Sequence, residues 1–152
     1  MTAAADVPNR IEREILIDAP VDRVWRLVTE PGWWIGDGEP PRRTVERDGD
    51  VVIVDFPPYG RFPVLLVSSD APRYVAYRSG DDASLVPAED NATLVEFFLS
   101  EQPGGTLLRV VESGFDVLYP SAERRAAAFE GNVEGWRIQL GMAKQDAERD
   151  AA

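Results

Sequence analysis

The sequence predicts an α+β domain: a curved antiparallel sheet of about six to seven strands wrapped around one long C-terminal helix, with two short helices after the first strand. Three observations predict it. From residue 42 the chain keeps a strand-like pattern for about seventy residues, broken only by turn signals. From Ala122 to Ala147 apolar residues recur at steps of three and four, forming one continuous helical face. Before both, an alternating segment gives way abruptly to one with helical spacing.

The elements follow in order. Residues 1–9 read as a frayed tail, and residues 10–150 as a single domain. "RIEREILID" alternates, with Ile11, Ile15 and Ile17 apolar, and is the first strand. In "APVDRVWRLVTEP", Val21, Val24, Trp25 and Val28 share one face of a short helix. Pro20 suits its first position, where a missing N–H costs nothing, and Pro31 stops it. "GWWIGDG" follows as a turn or a single helical turn. "RRTVERDGDVVIVDF" is a hairpin about Asp48-Gly49-Asp50. "RFPVLLVSS" is a strand in which Pro63 implies an edge or a bulge. "PRYVAYRS" is a further strand, and "GDDASLVPAEDN" a long, acidic, mobile loop. "ATLVEFFLSE" and "GTLLRVVES" form the last hairpin about "QPGG". Short connections make the strands an antiparallel meander.

Ser121 is the expected N-cap of the final helix. Its stripe runs through Ala122, Ala126, Phe129, Val133, Trp136, Leu140, Ala143 and Ala147. Gly131 and Gly135 each cost about 1 kcal/mol against Ala in a helix interior. Either the stripe outweighs them or a bend is wanted there. A strongly curved sheet cannot touch a straight helix everywhere, so a cavity is expected between them.

Composition narrows the function. The chain has 152 residues and a net charge of −11, from 27 acids against 16 bases, and all but Lys144 of the bases are Arg. Such a chain is repelled by phosphate backbones and anionic lipid heads, so nucleic acid and membrane surfaces are not expected partners. No apolar run approaches the roughly 18 residues of a membrane span, and the N-terminus lacks a signal-peptide pattern. A cytoplasmic location is expected. Cysteine and histidine are both absent. Thiol chemistry, Ser-His-Asp machinery and the commonest metal ligand are therefore excluded. No metal and no cofactor are expected, and binding is favoured over catalysis.

"EPGWWIGDG" poses the main question. Trp33 and Trp34 stand side by side among glycines that permit backbone shapes other residues resist. Something must receive both rings. One is expected to plug the open end of the sheet and helix, and the other to gate the cavity. Strand parity adds a second point. If Val95, Phe97 and Leu99 face inward, so do Leu108, Val110 and Glu112 of the partner strand. Glu112 is then a carboxyl facing an apolar hollow, or else a structural acid paired with Arg78 or Arg43. Asp55 could play the same part if Val51 and Ile53 share its face. The acidic pairs Asp81-Asp82 and Glu89-Asp90 lack calcium-loop spacing and read as a solvated loop.

"APVDRVWRLVTEPGWWIG", "GTLLRVVESGF" and "GWRIQLGMAKQ" resemble bacterial proteins similar to the C-terminal domain of the Hsp90 ATPase activator, within the START-like, Bet v 1-like superfamily. Ala19-Pro20 with Val24-Trp25 matches the family's entry to its first helix, and Trp33-Trp34 its paired aromatics. Gly105-Thr106 and Gly114-Phe115 bound its last strand, and Gly135-Trp136 with Leu140 marks its final helix. The resemblance spans roughly residues 10–148 and implies the helix-grip fold. Many relatives carry His where Glu112 stands here, so a role needing that imidazole does not carry over.

The expected function is binding of an apolar or amphipathic, lipid-like small molecule in an internal cavity. The residues expected to line it are Trp25, Trp33, Trp34, Phe56, Tyr77, Phe97, Val110, Glu112, Phe129, Val133 and Trp136. Phe129 and Val133 are favoured on the helix, and a tyrosine among Tyr59, Tyr74, Tyr77 and Tyr119 could orient the ligand. The resemblance also implies an alternative, a co-chaperone-like module for an Hsp90-type ATPase. A third reading is a His-independent cyclase or hydrolase using Glu112 or Asp55. Monomer and dimer are both open.

Overall fold

The computed structural model describes residues 9–35, 44–57, 59–119 and 121–150. The expected tail lies outside them except for Asn9, as do Gly36, Gly38, Arg43 and Pro120. Asn9 does not fray: its carbonyl accepts from the Gly114 N–H and its side chain from the Asp116 N–H.

Seven strands form one antiparallel sheet in the order β1-β7-β6-β5-β4-β3-β2. They are β1 (Arg10–Ile17), β2 (Thr44–Asp48), β3 (Val51–Phe56), β4 (Gly60–Asp70), β5 (Tyr74–Gly80), β6 (Ala92–Gln102) and β7 (Gly105–Ser113). Strands β2 to β7 are a meander, and β1 closes onto β7 with Ile11 opposite Glu112 and Ile17 opposite Thr106. The helices are α1 (Val21–Val28), α2 (Phe115–Leu118) and the 29-residue α3 (Ala122–Asp150).

Pro20 is the N-cap of α1, in extended conformation, one position before the first helical residue. The helix ends at Thr29, whose hydroxyl donates to the Trp25 carbonyl, two residues before Pro31. Pro31 to Trp34 form turns, with Trp33 N–H bonded to Glu30 O and Ile35 N–H to Gly32 O. The rest of "GWWIGDG", from Gly36, lies outside the described residues; a second short helix is present at α2, after β7. Pro63 occupies an interior strand, opposite Ile53 of β3, where the β4–β5 ladder has not yet begun; that ladder starts at Val64. Its missing N–H therefore costs no ladder bond. The bulge in β4 falls later, between Leu66 and Ser68.

Two glycines are set by close approach. Gly105 has φ +137°, and a Cβ there would lie 2.0 Å from the Ile17 carbonyl oxygen. Gly32 has φ +77°, and a Cβ would lie 2.5 Å from Val54 Cγ2. Gly32 thus lets the Trp33-Trp34 segment lie directly on the sheet.

The core sits between the inner sheet face, α1 and α3. The expected parity holds: Val95, Phe97, Leu99, Leu108 and Val110 are all buried, with Val95 opposite Glu112 and Phe97 opposite Val110. α1 contributes Val24 and Val28, and α3 contributes Trp136, Leu140, Ala143 and Ala147. Ser121 caps α3 by accepting from the Arg124 N–H. At the other end Lys144 donates to the Leu16 carbonyl, and Glu148 accepts from the Asp18 N–H. These contacts hold α3 along β1 and aim its N-terminal half across the far end of the sheet.

Candidate functional site

The N-terminal half of α3 is less buried than the rest. Ala122, Ala126, Phe129 and Val133 are only partly covered, whereas Trp136 to Ala147 carry the buried stripe. A cavity of about 630 Å³ lies beneath this half, bounded by β3, β4, β5 and α2. That volume falls within the ordinary range for small-molecule sites, about 300–1,000 Å³.

Two glycines lie on the helix side of this space. Gly131 and Gly135 stand one turn apart on α3 and present bare backbone to the cavity; a Cβ on either meets nothing within 4 Å. Asn132, Trp136 and Gln139 continue the same face. It is rotated from the Phe129-Val133-Leu140 stripe, and Trp136 is common to both. Across from it stand Trp34, Phe56, Tyr59, Phe62 and Tyr119.

The five rings of Trp33, Trp34, Tyr77, Phe97 and Trp136 fill the middle of the domain. Trp34 lies 5.1 Å from Tyr77, 5.5 Å from Phe97 and 6.2 Å from Trp136 between ring centroids. Trp33 lies 5.3 Å from Phe97 and 6.3 Å from Trp136. These spacings suit tilted and edge-to-face pairs. Both indoles join one ring cluster, and of the two Trp34 also lines the cavity. The hollow is displaced to one end of the sheet because the rings occupy the centre.

Of the residues expected at the cavity, Trp34, Phe56, Glu112 and Trp136 line it. Trp33, Tyr77, Phe97 and Val110 form the packed layer beside it, with the Tyr77 hydroxyl donating to the Val28 carbonyl over 2.8 Å. Trp25 and Val133 pack at the core's margin, and Phe129 packs against Phe115 at 6.3 Å. Ser79, Asp81, Thr93, Leu118, Asn132 and Gln139 also line the cavity, and the strand and helix patterns had not singled them out. Thr93 had a usable signal, since it shares the inward parity of Val95. The spacing of Gly131 and Gly135 was a second one.

Glu112 is the polar centre of the site. It is 7% exposed. Oε1 accepts from Trp136 Nε1 at 2.9 Å and from Asn132 Nδ2 at 3.3 Å, and Oε2 lies 2.8 Å from Thr93 Oγ1. Among the described residues its partners are thus three neutral groups and no arginine: Arg78 faces Glu89 instead. Burial pushes the Glu112 carboxyl above the usual carboxylate range, and its hydrogen bonds oppose the shift. Thr93 has one hydroxyl proton and a second acceptor, the Ser79 carbonyl, at 3.3 Å. With its proton turned to Ser79, Thr93 accepts from a protonated Glu112; turned the other way, it serves the carboxylate. The pair accommodates both charge states.

Asp55 alternates with Phe56 on β3 and so faces away from the cavity. Asp81 is exposed at the rim, near Tyr119, whose phenol is pushed upward by burial and by the charges of Asp81 and Glu112. Asp82 is held by Ser84. Among the described residues no acidic group of three or more could hold a metal ion.

No protein-family model and no curated protein matches the chain. Solved structures do. Protein MLL2253 from Mesorhizobium loti is 22% identical over 92% of this chain and 97% of that one, with a TM-score of 0.67. Protein CV1439 from Chromobacterium violaceum is 20% identical over 93% and 99%, with a TM-score of 0.65. The Aha1 dimer from Colwellia psychrerythraea, solved in solution, is 16% identical over 91% and 96%, also at 0.65. With the long helix laid across a seven-stranded antiparallel sheet, these likenesses define a helix-grip-like α+β protein. No helix among the described residues is long and apolar enough to cross a membrane.

Proposed function

We propose that the protein binds a small apolar or amphipathic molecule in the cavity between α3 and the β3–β5 end of the sheet, in the cytoplasm and without a cofactor. The observation that carries the reading is the pair Gly131 and Gly135. Two helix-weakening residues, one turn apart, border a space walled by aromatic rings. A chain selected for stability alone would fill it. Affinity comes from desolvating the ligand, at about 25 cal/mol per Å² of apolar surface. Trp34, Phe56 and Trp136 supply the apolar wall, and Glu112 orients the polar end. Native mass spectrometry of the purified protein, followed by extraction, tests this. A retained small molecule supports it. A bare mass, with no thermal shift across a panel of apolar and amphipathic compounds, overturns it.

The likeness to the Aha1 dimer supports a second reading, in which the domain contacts an Hsp90-type ATPase or a second copy of itself. Val45, Leu66 and Val67 are each at least half exposed and offer apolar area for such a contact. Titration against a bacterial Hsp90-type ATPase, with sedimentation of the protein alone, tests it. No complex, no change in ATPase rate and a monomeric mass remove it.

A further inference from the structure

We infer that the cavity selects an amphipathic cation, an ammonium group on an apolar body, and discriminates against carboxylates and phosphates of the same size. This rests on the reading of the cavity as a ligand site and adds its charge class. Three independent features of the lining support it.

The first is the balance of charge. The described lining contains two carboxyl groups, Glu112 at the floor and Asp81 at the rim, and no Arg or Lys. Among the described residues, the bases nearby in the sequence are committed elsewhere or lie outside the lining. Arg125 donates to the Tyr119 carbonyl, Arg78 faces Glu89, and Arg124 acts on the Tyr119 phenol without lining the space. The whole chain, at −11, repels an approaching anion and attracts a cation.

The second is the direction of the hydrogen-bond donors. An anion in a cavity needs N–H or O–H groups aimed at it. Two of the lining's N–H donors, Trp136 Nε1 and Asn132 Nδ2, both point at Glu112 rather than at a ligand. A carboxylate offers about four acceptor sites, and three are used, which leaves one on Oε2 for a ligand donor.

The third is the wall. Six of the seventeen lining residues are aromatic, including Trp34, Tyr59 and Trp136. Aromatic faces attract ammonium groups through the ring quadrupole, and such walls are the means by which proteins recognise quaternary ammonium ligands. The same faces repel a carboxylate. Charge, donors and rings thus favour one ligand class.

The test uses three compounds sharing one ring system: 1-naphthylmethylamine, 1-naphthalenemethanol and 1-naphthoate. Each is titrated calorimetrically into the full chain at neutral pH and low salt. The amine should bind about tenfold or more tighter than the carboxylate, with the alcohol between them. Added salt should reduce that preference without moving the alcohol, and Asp81→Asn, at the exposed rim, should reduce it as well. If the alcohol binds and the amine is no better than the carboxylate, the charge selectivity is wrong while the cavity reading stands. If none of the three binds, both fall.

Discussion

Trp136 and Glu112 join the two halves of the domain: the indole N–H of α3 donates to the carboxyl of β7 over 2.9 Å, in a site that is almost fully buried. The same carboxyl accepts from Asn132 and Thr93. Removing it strands the Trp136 and Asn132 donors, while Thr93 keeps the Ser79 carbonyl. Glu112→Ala should therefore destabilise the fold by about 2–4 kcal/mol, more than a surface substitution of similar size. Glu112→Gln keeps an acceptor for Trp136, and Thr93 can turn its proton to Ser79 to receive the new amide. Its cost should stay within about 1 kcal/mol. Denaturant titration of both variants decides it; equal losses would mean the carboxyl is not the keystone of this network.

Acidity gives a second prediction. Burial raises the Glu112 pKa above its ordinary 4.5. The folded chain then holds this proton more tightly than the unfolded chain does. The stability it contributes is complete below about pH 4.5 and is lost as pH rises through the raised value, at most about 1.4 kcal/mol per pH unit. Glu12, Asp82, Glu134 and Glu148 shift downward and give the opposite sign at lower pH. Subtracting the Glu112→Gln curve isolates the effect. Stability of Glu112→Gln relative to the parent should climb as pH rises above 4.5; a flat difference would show that the carboxyl titrates normally.

The sequence made the fold readable because its periods are clean. The stripe from Trp136 to Ala147 and the parity of Val95 to Leu99 survive intact in the structure. The site was only partly readable. Glu112, Trp34, Phe56 and Trp136 were found by parity and by aromatic content. Asn132, Gln139 and the two helix glycines were missed as a group because hydrophobic periodicity traces the packed stripe, whereas the cavity borders the face beside it. The paired tryptophans were legible only as a pair. No local pattern says how many rings the core can absorb; here Trp34 is buried in it and Trp33 packs half-buried against it.

The paired tryptophans should separate on substitution. Trp34 touches Trp33, Tyr77, Phe97 and Trp136, so Trp34→Ala should cost about 3–5 kcal/mol, the range for a large buried aromatic. Trp33 is half-buried, and its Nε1 finds no acceptor among the described residues. Trp33→Phe deletes that unsatisfied donor along with some apolar area, and the two effects offset. Its cost should be under about 1.5 kcal/mol. Thermal unfolding measures both; comparable losses would refute the unequal roles.

Gly131 and Gly135 yield the sharpest test of a functional cavity. A methyl at either position meets no atom within 4 Å, so alanine brings no clash. It does remove the helix penalty of glycine, about 0.5–1 kcal/mol per site through the unfolded chain's entropy. Gly131→Ala and Gly135→Ala should each raise stability by that amount, and together by about 1–2 kcal/mol, since the two methyls do not share a partner. The same methyls occupy the face that lines the cavity. Binding of an apolar probe should weaken as stability increases, and Gly135→Leu, which projects further, should abolish it while the chain stays folded. A retained affinity in the leucine variant would place the ligand elsewhere. A destabilised alanine variant would mean that the glycines serve the helix backbone rather than the open space beside it.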